Sequence, residues 1–135
     1  MHRPSRRGSA TRSTPQHLLT RLQRQAATPE CAEVAYERAG SPTAARLNVS
    51  LGEADTYVLA TVVQLTPSMY WRSVQLPDQQ WYDEYACYRD GFGWYVKVGE
   101  TDDGLLVVSH HGPAHSITRI DGKTVESVEP SGGRP

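Results

Sequence analysis

The chain has 135 residues, 38% of them hydrophobic, which is enough for one ordinary core and too few for two. Its net charge of −1 is unevenly distributed, because residues 1–28 contain six arginines and no acidic residue. This end could therefore contact phosphate, whereas the acidic remainder would not bind polyanions unselectively. Two cysteines exclude a disulfide framework and lack zinc-site spacing, and no apolar run is long enough to span a membrane, so we expect a cytoplasmic protein without membrane contact.

The N-terminal part predicts a disordered arm followed by two short helices. Residues 1–13 are basic and have no periodic apolar positions, so burial cannot offset the entropy of ordering them. Thr and Pro at 14–15 form a helix start signal, which predicts a helix over 15–27. The same pair at 28–29 predicts a second helix that Gly40 ends.

The middle of the chain predicts the central packed helix. Ser50 and Glu53 stand three apart as in a capping box, and a broad apolar face follows them as far as Leu65. Pro67 then opens a further short helix, which we expect to carry Arg72.

From residue 80 the hydrophobic period changes from helical to twofold. Three antiparallel strands are predicted over residues 80–85, 94–98 and 105–111, and Asp-Gly pairs supply turns between them. A third Asp-Gly pair predicts an extra C-terminal hairpin, formed by residues 116–120 and 123–128.

This order of elements predicts one α+β domain over residues 14–129. Short N-terminal helices should pack on one face of an antiparallel β-sheet, and residues 130–135 should form a disordered tail.

Alternation along the strands assigns side chains to the two faces of the sheet. On the middle strand, Trp94, Val96 and Val98 should face the helices, whereas Tyr95 and Lys97 should face solvent or a ligand. On the third strand, Leu105, Val107, Ser109 and His111 should share one face and oppose Leu106, Val108 and His110. Only one of the two adjacent histidines can therefore share the outer face, and periodicity leaves open which.

The outer face offers the residue types of an anion site. Lys97 and Arg72 could neutralise a phosphate, Tyr82 and Tyr95 could stack on a base or donate a hydrogen bond, and a histidine or Glu84 could move protons. The same residues also have ordinary roles on an exposed sheet, where tyrosines pair across strands and lysines are solvated charges.

Three histidines near the end of the third strand suggest a metal site only weakly. His110 and His111 point to opposite faces of a strand, and no carboxylate at metal-ligand spacing accompanies them and His115. We therefore expect no metal and no cofactor.

Five segments occur in an order and spacing shared with a known family: Arg46-Leu47-Asn48, Tyr70-Trp71-Arg72-Ser73, Trp81-Tyr82-Asp83-Glu84-Tyr85, Trp94-Tyr95-Val96-Lys97 and Val107-Val108-Ser109-His110-His111. Over residues 44–112 the chain resembles the MqsR-type toxins of bacterial toxin–antitoxin systems, small RelE-like ribonucleases that cleave messenger RNA. The family carries an aromatic-Lys-Ser signature, a Trp-Gln-Asp-x-Tyr motif, a Tyr-x-Lys strand and a Val-Ser-Phe-Lys strand.

The resemblance implies a function for four positions. The family's short-helix cation falls on Arg72, its glutamine on Tyr82, its strand tyrosine on Tyr95 and its terminal strand lysine on His111. Arginine preserves the charge and histidine can carry a proton near neutral pH. A tyrosine cannot reproduce the paired donor and acceptor of an amide, so Tyr82 departs from the pattern, as do the acidic body and the C-terminal hairpin.

These observations predict a metal-independent endoribonuclease toxin that cuts mRNA through attack by the substrate's 2′-hydroxyl, with a cognate antitoxin protein as partner. Arg72, Tyr95 and His111 would be catalytic, and Tyr82, Lys97 and Glu84 would bind substrate. The competing interpretation is a non-catalytic protein- or RNA-binding module, of the immunity or antitoxin type or an inactive toxin fold. The acidic body favours that reading, and toxicity on expression would separate the two.

Overall fold

The computed structural model describes residues 10–127, and every structural statement below concerns that part of the chain. Its elements in chain order are β1 (Ala10–Arg12), α1 (Leu19–Ala26), β2 (Ala32–Val34), α2 (Ser41–Leu47), α3 (Leu51–Gln64), β3 (Tyr70–Gln75), β4 (Trp81–Arg89), β5 (Phe92–Thr101), β6 (Gly104–His111), β7 (Ile117–Thr118) and β8 (Thr124–Val125). Short 3₁₀ turns at Pro29–Cys31 and Pro67–Met69 and a π-helical turn at Tyr36–Gly40 connect some of them.

Six strands form one mixed sheet in the order β1-β3-β4-β5-β6-β2. Its neighbouring strands are antiparallel except for β2, which runs parallel to β6 at the edge. The strands β7 and β8 pair separately as the predicted C-terminal hairpin. The α+β class and the mostly antiparallel sheet are therefore confirmed.

The main core lies between the helices and one face of the sheet. Its buried members include Leu22 of α1, Val58 and Val62 of α3, and Tyr85, Cys87, Trp94, Val96, Val98, Leu105 and Val107 of the sheet. The alternation predicted for β5 is confirmed, since its three apolar residues all belong to this cluster. The capping box that begins α3 is also confirmed, because both Ser50–Glu53 hydrogen bonds form.

A second, smaller apolar cluster joins the C-terminal hairpin to the outer face of the sheet. Ile117 and Val125 of the hairpin pack with Ala86, and Trp71 and Tyr95 lie against them. The hairpin approaches the sheet closely at Gly93, where an added Cβ would come within 2.9 Å of Val125. The hairpin therefore covers part of the outer face and leaves the rest accessible.

The first helix begins later than predicted. It starts at Leu19, and the main-chain N–H groups of Gln16 and His17 instead donate to the Asp83 carboxylate, with N–O distances of 2.9 to 3.1 Å. The buried Asp83 carboxylate on β4 therefore binds two residues that the sequence pattern assigned to the helix, and it keeps them out of α1.

The second predicted helix is wrong at its centre and at its end. Ala32–Val34 is a strand that pairs in parallel with Leu105–Val107, because pairing with the sheet edge overrides the local helix signal. Helical turns flank this strand, and the π-helical turn at Tyr36–Gly40 runs directly into α2, so Gly40 does not end a helix.

The short helix predicted to carry Arg72 is also wrong. Only a 3₁₀ turn follows Pro67, and Tyr70–Gln75 is a strand paired with β4. Its aromatic residues suit the pleated surface of a sheet.

The predicted disordered arm is wrong where it can be compared. Ala10–Arg12 is a strand antiparallel to β3, and the Arg12 guanidinium lies 4.1 Å from the ring centre of Trp81. Residues 1–9 of the arm and the predicted tail at 130–135 lie outside the described residues. Within the described range, no helix has the length and apolar character needed to cross a membrane.

Candidate functional site

A bulge in β6 decides which histidine reaches the outer face of the sheet. Lys97 pairs with Ser109, whereas the next residue of β5 pairs with Val107, so one residue of β6 is skipped in the ladder. Because a bulge shifts the alternation by one, the predicted side-chain pattern of β6 is wrong beyond Val107. His110 faces the core opposite Val96, and His111 pairs with Tyr95 on the outer face.

A second bulge, in β3, brings two neighbouring side chains to the same face. Tyr70 pairs with Tyr85 and Arg72 pairs with Glu84, so Trp71 is the extra residue. The Arg72 guanidinium stacks on the Trp71 ring, 3.9 Å from its centroid. A cation and an indole are thereby fixed side by side, which regular alternation would have placed on opposite faces.

Glu84 lies at the centre of the outer face and is only 2% exposed. Its carboxylate accepts a hydrogen bond from Arg72 Nε at 2.6 Å and another from the Tyr95 hydroxyl, and Lys97 Nζ lies 3.7 Å away. A buried carboxylate is costly unless it is paired in this way. Glu84 is therefore a counter-ion that orients three predicted site residues.

The surroundings of Glu84 also shift the protonation of its partners. Burial and then the Glu84 charge raise the pKa of Tyr95 well above its ordinary value, so its phenol stays protonated and donates to Glu84. Burial lowers the pKa of Lys97, although the neighbouring Glu84 opposes that shift.

The two nitrogens of the His111 ring differ in their hydrogen bonding. Its Nδ1 lies 2.8 Å from the main-chain oxygen of Gly112, and because a carbonyl only accepts, Nδ1 carries the proton. Its Nε2 is buried and has no hydrogen-bond partner within the part of the chain that the structure describes.

Burial lowers the pKa of His111, and the charges of Arg38 and Lys97 lower it further. The ring is therefore neutral at pH 7, with a buried, unpaired lone pair on Nε2. A neutral imidazole with an unpaired acceptor nitrogen can act as a general base once that nitrogen is turned toward a substrate.

These side chains surround a cavity of about 410 Å³ between the strands, the C-terminal hairpin and the π-helical turn. Its lining residues are Arg38, Trp71, Arg72, Tyr95, His111, Ala114, His115, Ser116 and Ile117. The volume is within the range of small-ligand sites, and the wall combines aromatic rings with cations. We call this space the outer-face cavity.

Positive charge prevails around the outer-face cavity. Arg38, on the π-helical turn, is exposed and forms no hydrogen bond or ion pair with any residue between 10 and 127. With Arg72 and Lys97 it gives three cations near the single carboxylate of Glu84. An anion, such as a phosphate, is the ligand that this balance favours.

The structure brings together five of the six predicted site residues. Arg72, Tyr95 and His111 line the outer-face cavity, and Glu84 and Lys97 lie beside it in the ion-pair network.

Tyr82 lies apart from the cavity lining. Its ring packs where an added Cβ on Gly99 would come within 2.7 Å, and its hydroxyl donates to Asp78 at 2.9 Å. Burial, with a contribution from Asp78, raises the pKa of Tyr82 to about 12.

Sequence reasoning missed Arg38 and gave Trp71 and His115 no role in an anion site. Arg38 lay inside a segment predicted as helix, and Trp71 reaches the cavity only through a bulge. His115 was considered only as a metal ligand. Among residues 10–127, no three His, Cys, Asp or Glu side chains are grouped so that they could hold a metal ion.

No protein-family model matches the chain, and none of the curated proteins compared with it matches it either.

Proposed function

We propose that the protein is a toxin-type endoribonuclease with a RelE-like arrangement of helices and sheet, which binds single-stranded RNA in the outer-face cavity and cleaves it without a metal. The observation that carries the proposal is that His111, whose Nε2 is buried and unpaired, lines the cavity together with Arg38 and Arg72. A turn of the ring on substrate binding would bring Nε2 to the 2′-hydroxyl. A base beside two cations is the minimum set for cleavage by the RNA's own 2′-hydroxyl.

In this mechanism the protein supplies no nucleophile. His111 Nε2 accepts the proton of the 2′-hydroxyl, whose oxygen attacks the adjacent phosphorus. The negative charge that develops on the phosphate is stabilised by Arg38 and Arg72. The products are a 2′,3′-cyclic phosphate and a new 5′-hydroxyl.

The ion-pair network supports this role of Arg72. Its Nε is bound to Glu84, and its terminal NH₂ groups form no other hydrogen bond within residues 10–127. Glu84 thereby fixes the direction of the guanidinium while leaving a two-nitrogen edge for a phosphate.

The aromatic residues would bind the RNA and support His111, the catalytic base. The Tyr95 ring lies 5.2 Å from the ring of His111, and the Trp71 ring lies 6.4 Å from that of Tyr95. A nucleobase can stack against such rings regardless of its identity. Tyr95 therefore supports His111 and contacts the substrate without transferring a proton.

The proposal extends to location and partner. We propose that the protein acts in the cytoplasm, where its mRNA substrate lies, and that a cognate antitoxin protein neutralises it by covering the outer-face cavity. The three cations around the cavity would favour an acidic segment of that partner.

The test is cleavage of defined single-stranded RNA oligonucleotides by the purified chain, with EDTA present throughout. We expect products that end in a 2′,3′-cyclic phosphate. Replacement His111→Ala should lower the rate by roughly 10²–10⁴, and Arg72→Ala by roughly 10²–10³. The matched control is Arg24→Ala, which removes an exposed arginine of α1, a helix that packs in the main core on the face of the sheet opposite the cavity.

Two results would overturn the proposal. If cleavage requires a divalent ion, the metal-independent mechanism is wrong. If the wild-type chain binds RNA without cutting it and does not slow growth when expressed, the non-catalytic binding module becomes the better description.

A further inference from the structure

The segment between β6 and β7 forms one wall of the outer-face cavity. Ala114, His115 and Ser116 line it, and the segment is fixed at both ends. Pro113 is buried, and Ile117 is 5% exposed within the second apolar cluster. The Ser116 hydroxyl also donates to Glu126 at 3.1 Å. His115 therefore lies on an ordered wall of the cavity.

His115 differs from His111 in its surroundings. Its side chain is exposed, and it forms no hydrogen bond or ion pair with any of the residues that the structure describes. His111 is partly buried and neutral, and its acceptor nitrogen is buried without a partner among the described residues. The same cavity thus holds two imidazoles, one partly buried beneath its wall and one open to solvent.

The other side chains at the cavity that could donate a proton already form hydrogen bonds or ion pairs. The Tyr95 hydroxyl donates to Glu84, and the pKa of that phenol is raised. Lys97 pairs with Glu84 and does not line the cavity, and Ser116 donates to Glu126. Within residues 10–127, His115 is the lining side chain left to act as an acid.

We propose that His115 is a second catalytic residue, which protonates the leaving group; this inference rests on the proposed function. His111 Nε2 takes the proton of the 2′-hydroxyl, and the 2′-oxygen forms a bond to phosphorus. The bond between phosphorus and the 5′-oxygen breaks, and its electron pair takes a proton from the His115 imidazolium. Solvent water then takes the proton from His111 and gives a proton to His115. Both histidines are thereby restored, and no other reactant is consumed.

The charged and titratable groups around His115 come from every element that forms the cavity. They are Arg38 of the π-helical turn, Arg72 of β3, Glu84 of β4, Tyr95 and Lys97 of β5, His111 of β6, and Glu126 next to β8. Three cations and two carboxylates are thus grouped here, a balance that favours an anionic substrate beside His115.

The test compares two substrates that differ only in the leaving group. One is a diribonucleoside 3′,5′-phosphate, whose alkoxide must be protonated as it leaves. The other is a ribonucleoside 3′-(4-nitrophenyl phosphate), whose phenolate leaves without a proton. We expect His115→Gln to lower kcat for the first by roughly 10²–10⁴ and to leave the second nearly unchanged. His111→Gln should slow both substrates.

A pH profile gives an independent readout. In the wild-type protein, kcat/KM for the diribonucleoside phosphate should fall at high pH, because its leaving group needs an acid. This alkaline limb should be absent in His115→Gln, whereas a merely structural role would leave it in place. The matched control is Thr118→Ala, which replaces an exposed residue of β7 whose hydroxyl bonds that of Thr124.

The outcomes separate this inference from the proposed function. Equal losses on both substrates, or no loss on either, would overturn the role of His115 while leaving an active ribonuclease. If the wild-type protein cleaves neither substrate nor longer RNA, the proposed function falls, and the assignment of His115 falls with it.

Discussion

Arg72 and Glu84 face each other across β3 and β4, with Arg72 Nε 2.6 Å from a carboxylate oxygen that is almost completely buried. One guanidinium nitrogen is committed to this contact while the terminal nitrogens remain available at the cavity. A lysine has three N–H donors on a single nitrogen, so it could not bond Glu84 and also present a flat two-nitrogen edge to a phosphate. The pair therefore explains why arginine rather than lysine suits this position.

The first prediction concerns that distinction. Replacement Arg72→Lys should lower the cleavage rate by roughly 10², close to the effect of Arg72→Ala, because the ammonium will pair with Glu84. Urea unfolding should show that Arg72→Lys keeps most of the stability that Arg72→Ala loses. A lysine variant that cleaves at the wild-type rate would show that the bidentate edge of Arg72 is not used.

The second prediction concerns the buried carboxylate itself. Glu84→Ala leaves Lys97 and the Tyr95 hydroxyl without their partner, so we expect the free energy of unfolding to fall by about 3 kcal/mol. Glu30→Ala, which removes an exposed carboxylate outside the network, should change it little. Equal stability of these two variants in urea titrations would mean that the network contributes nothing to the fold.

The third prediction concerns the charge of Arg38 and the pH dependence of cleavage. Burial and the Arg38 charge lower the pKa of His111, so the wild-type rate should fall only as pH drops below 6.5, the ordinary pKa of histidine. Arg38→Ala removes that charge, and the acidic limb of the pH–rate profile should move to higher pH. Arg38→Lys should restore the wild-type limb, and Arg24→Ala should not move it. A limb that stays in place in Arg38→Ala would contradict the geometry of the site.

The strands from β4 onward were predictable from sequence because alternating residues and Asp-Gly turns carry the signal locally. The capping box of α3 is local in the same way. The edge strands β1 and β2 were not predictable, because each forms only by pairing with a partner more than sixty residues away. Tertiary pairing of this kind overrides local propensity.

The candidate site shows the same division. Tyr95 and Lys97 were assigned to the outer face by simple alternation, which β5 obeys. The positions of Trp71 and His111 depend on bulges, and a one-residue bulge leaves no signature in these sequences. Arg38 joins the site from a π-helical turn distant in sequence, so no local pattern could have revealed it.

The fourth prediction concerns His110, which alternation alone would offer as an inert control for His111. Its ring is fully buried, stacks 4.4 Å from Trp94, and bonds the hydroxyls of Thr43 and Thr61 at 2.7 and 3.0 Å. Removing it therefore damages the core, and His110→Ala should lower stability as well as activity.

Burial also lowers the pKa of His110 from 6.5 to about 3. Between these pH values the histidine is protonated in the unfolded chain and neutral in the folded chain. The free energy of unfolding therefore keeps its full value above pH 6.5 and falls as pH drops toward 3. His110 should lower it by about 2 kcal/mol between pH 6.5 and 4.5. Urea titrations at both pH values should show a smaller decline for His110→Gln than for the wild type. An unchanged decline would mean that His110 titrates normally.

The last prediction concerns Asp83, whose fully buried carboxylate holds the segment before α1. It accepts from the main-chain N–H groups of Gln16 and His17, each at 2.9 Å, and from the Ser73 hydroxyl. A chain that begins at residue 18 loses the two main-chain donors and leaves the carboxylate with one partner. We expect it to be less stable than a chain that begins at residue 10 by about 3 kcal/mol or more.

A chain that begins at residue 14 separates this effect from the loss of β1. It loses the β1–β3 pairing and the contact of Arg12 with Trp81 but keeps both donors to Asp83. It should therefore lie between the other two in urea unfolding. Asp83→Asn completes a cycle, because it should destabilise the chain from residue 10 strongly and the chain from residue 18 much less. If Asp83→Asn costs the same in both lengths, Asp83 is not coupled to Gln16 and His17, and the late start of α1 requires another cause.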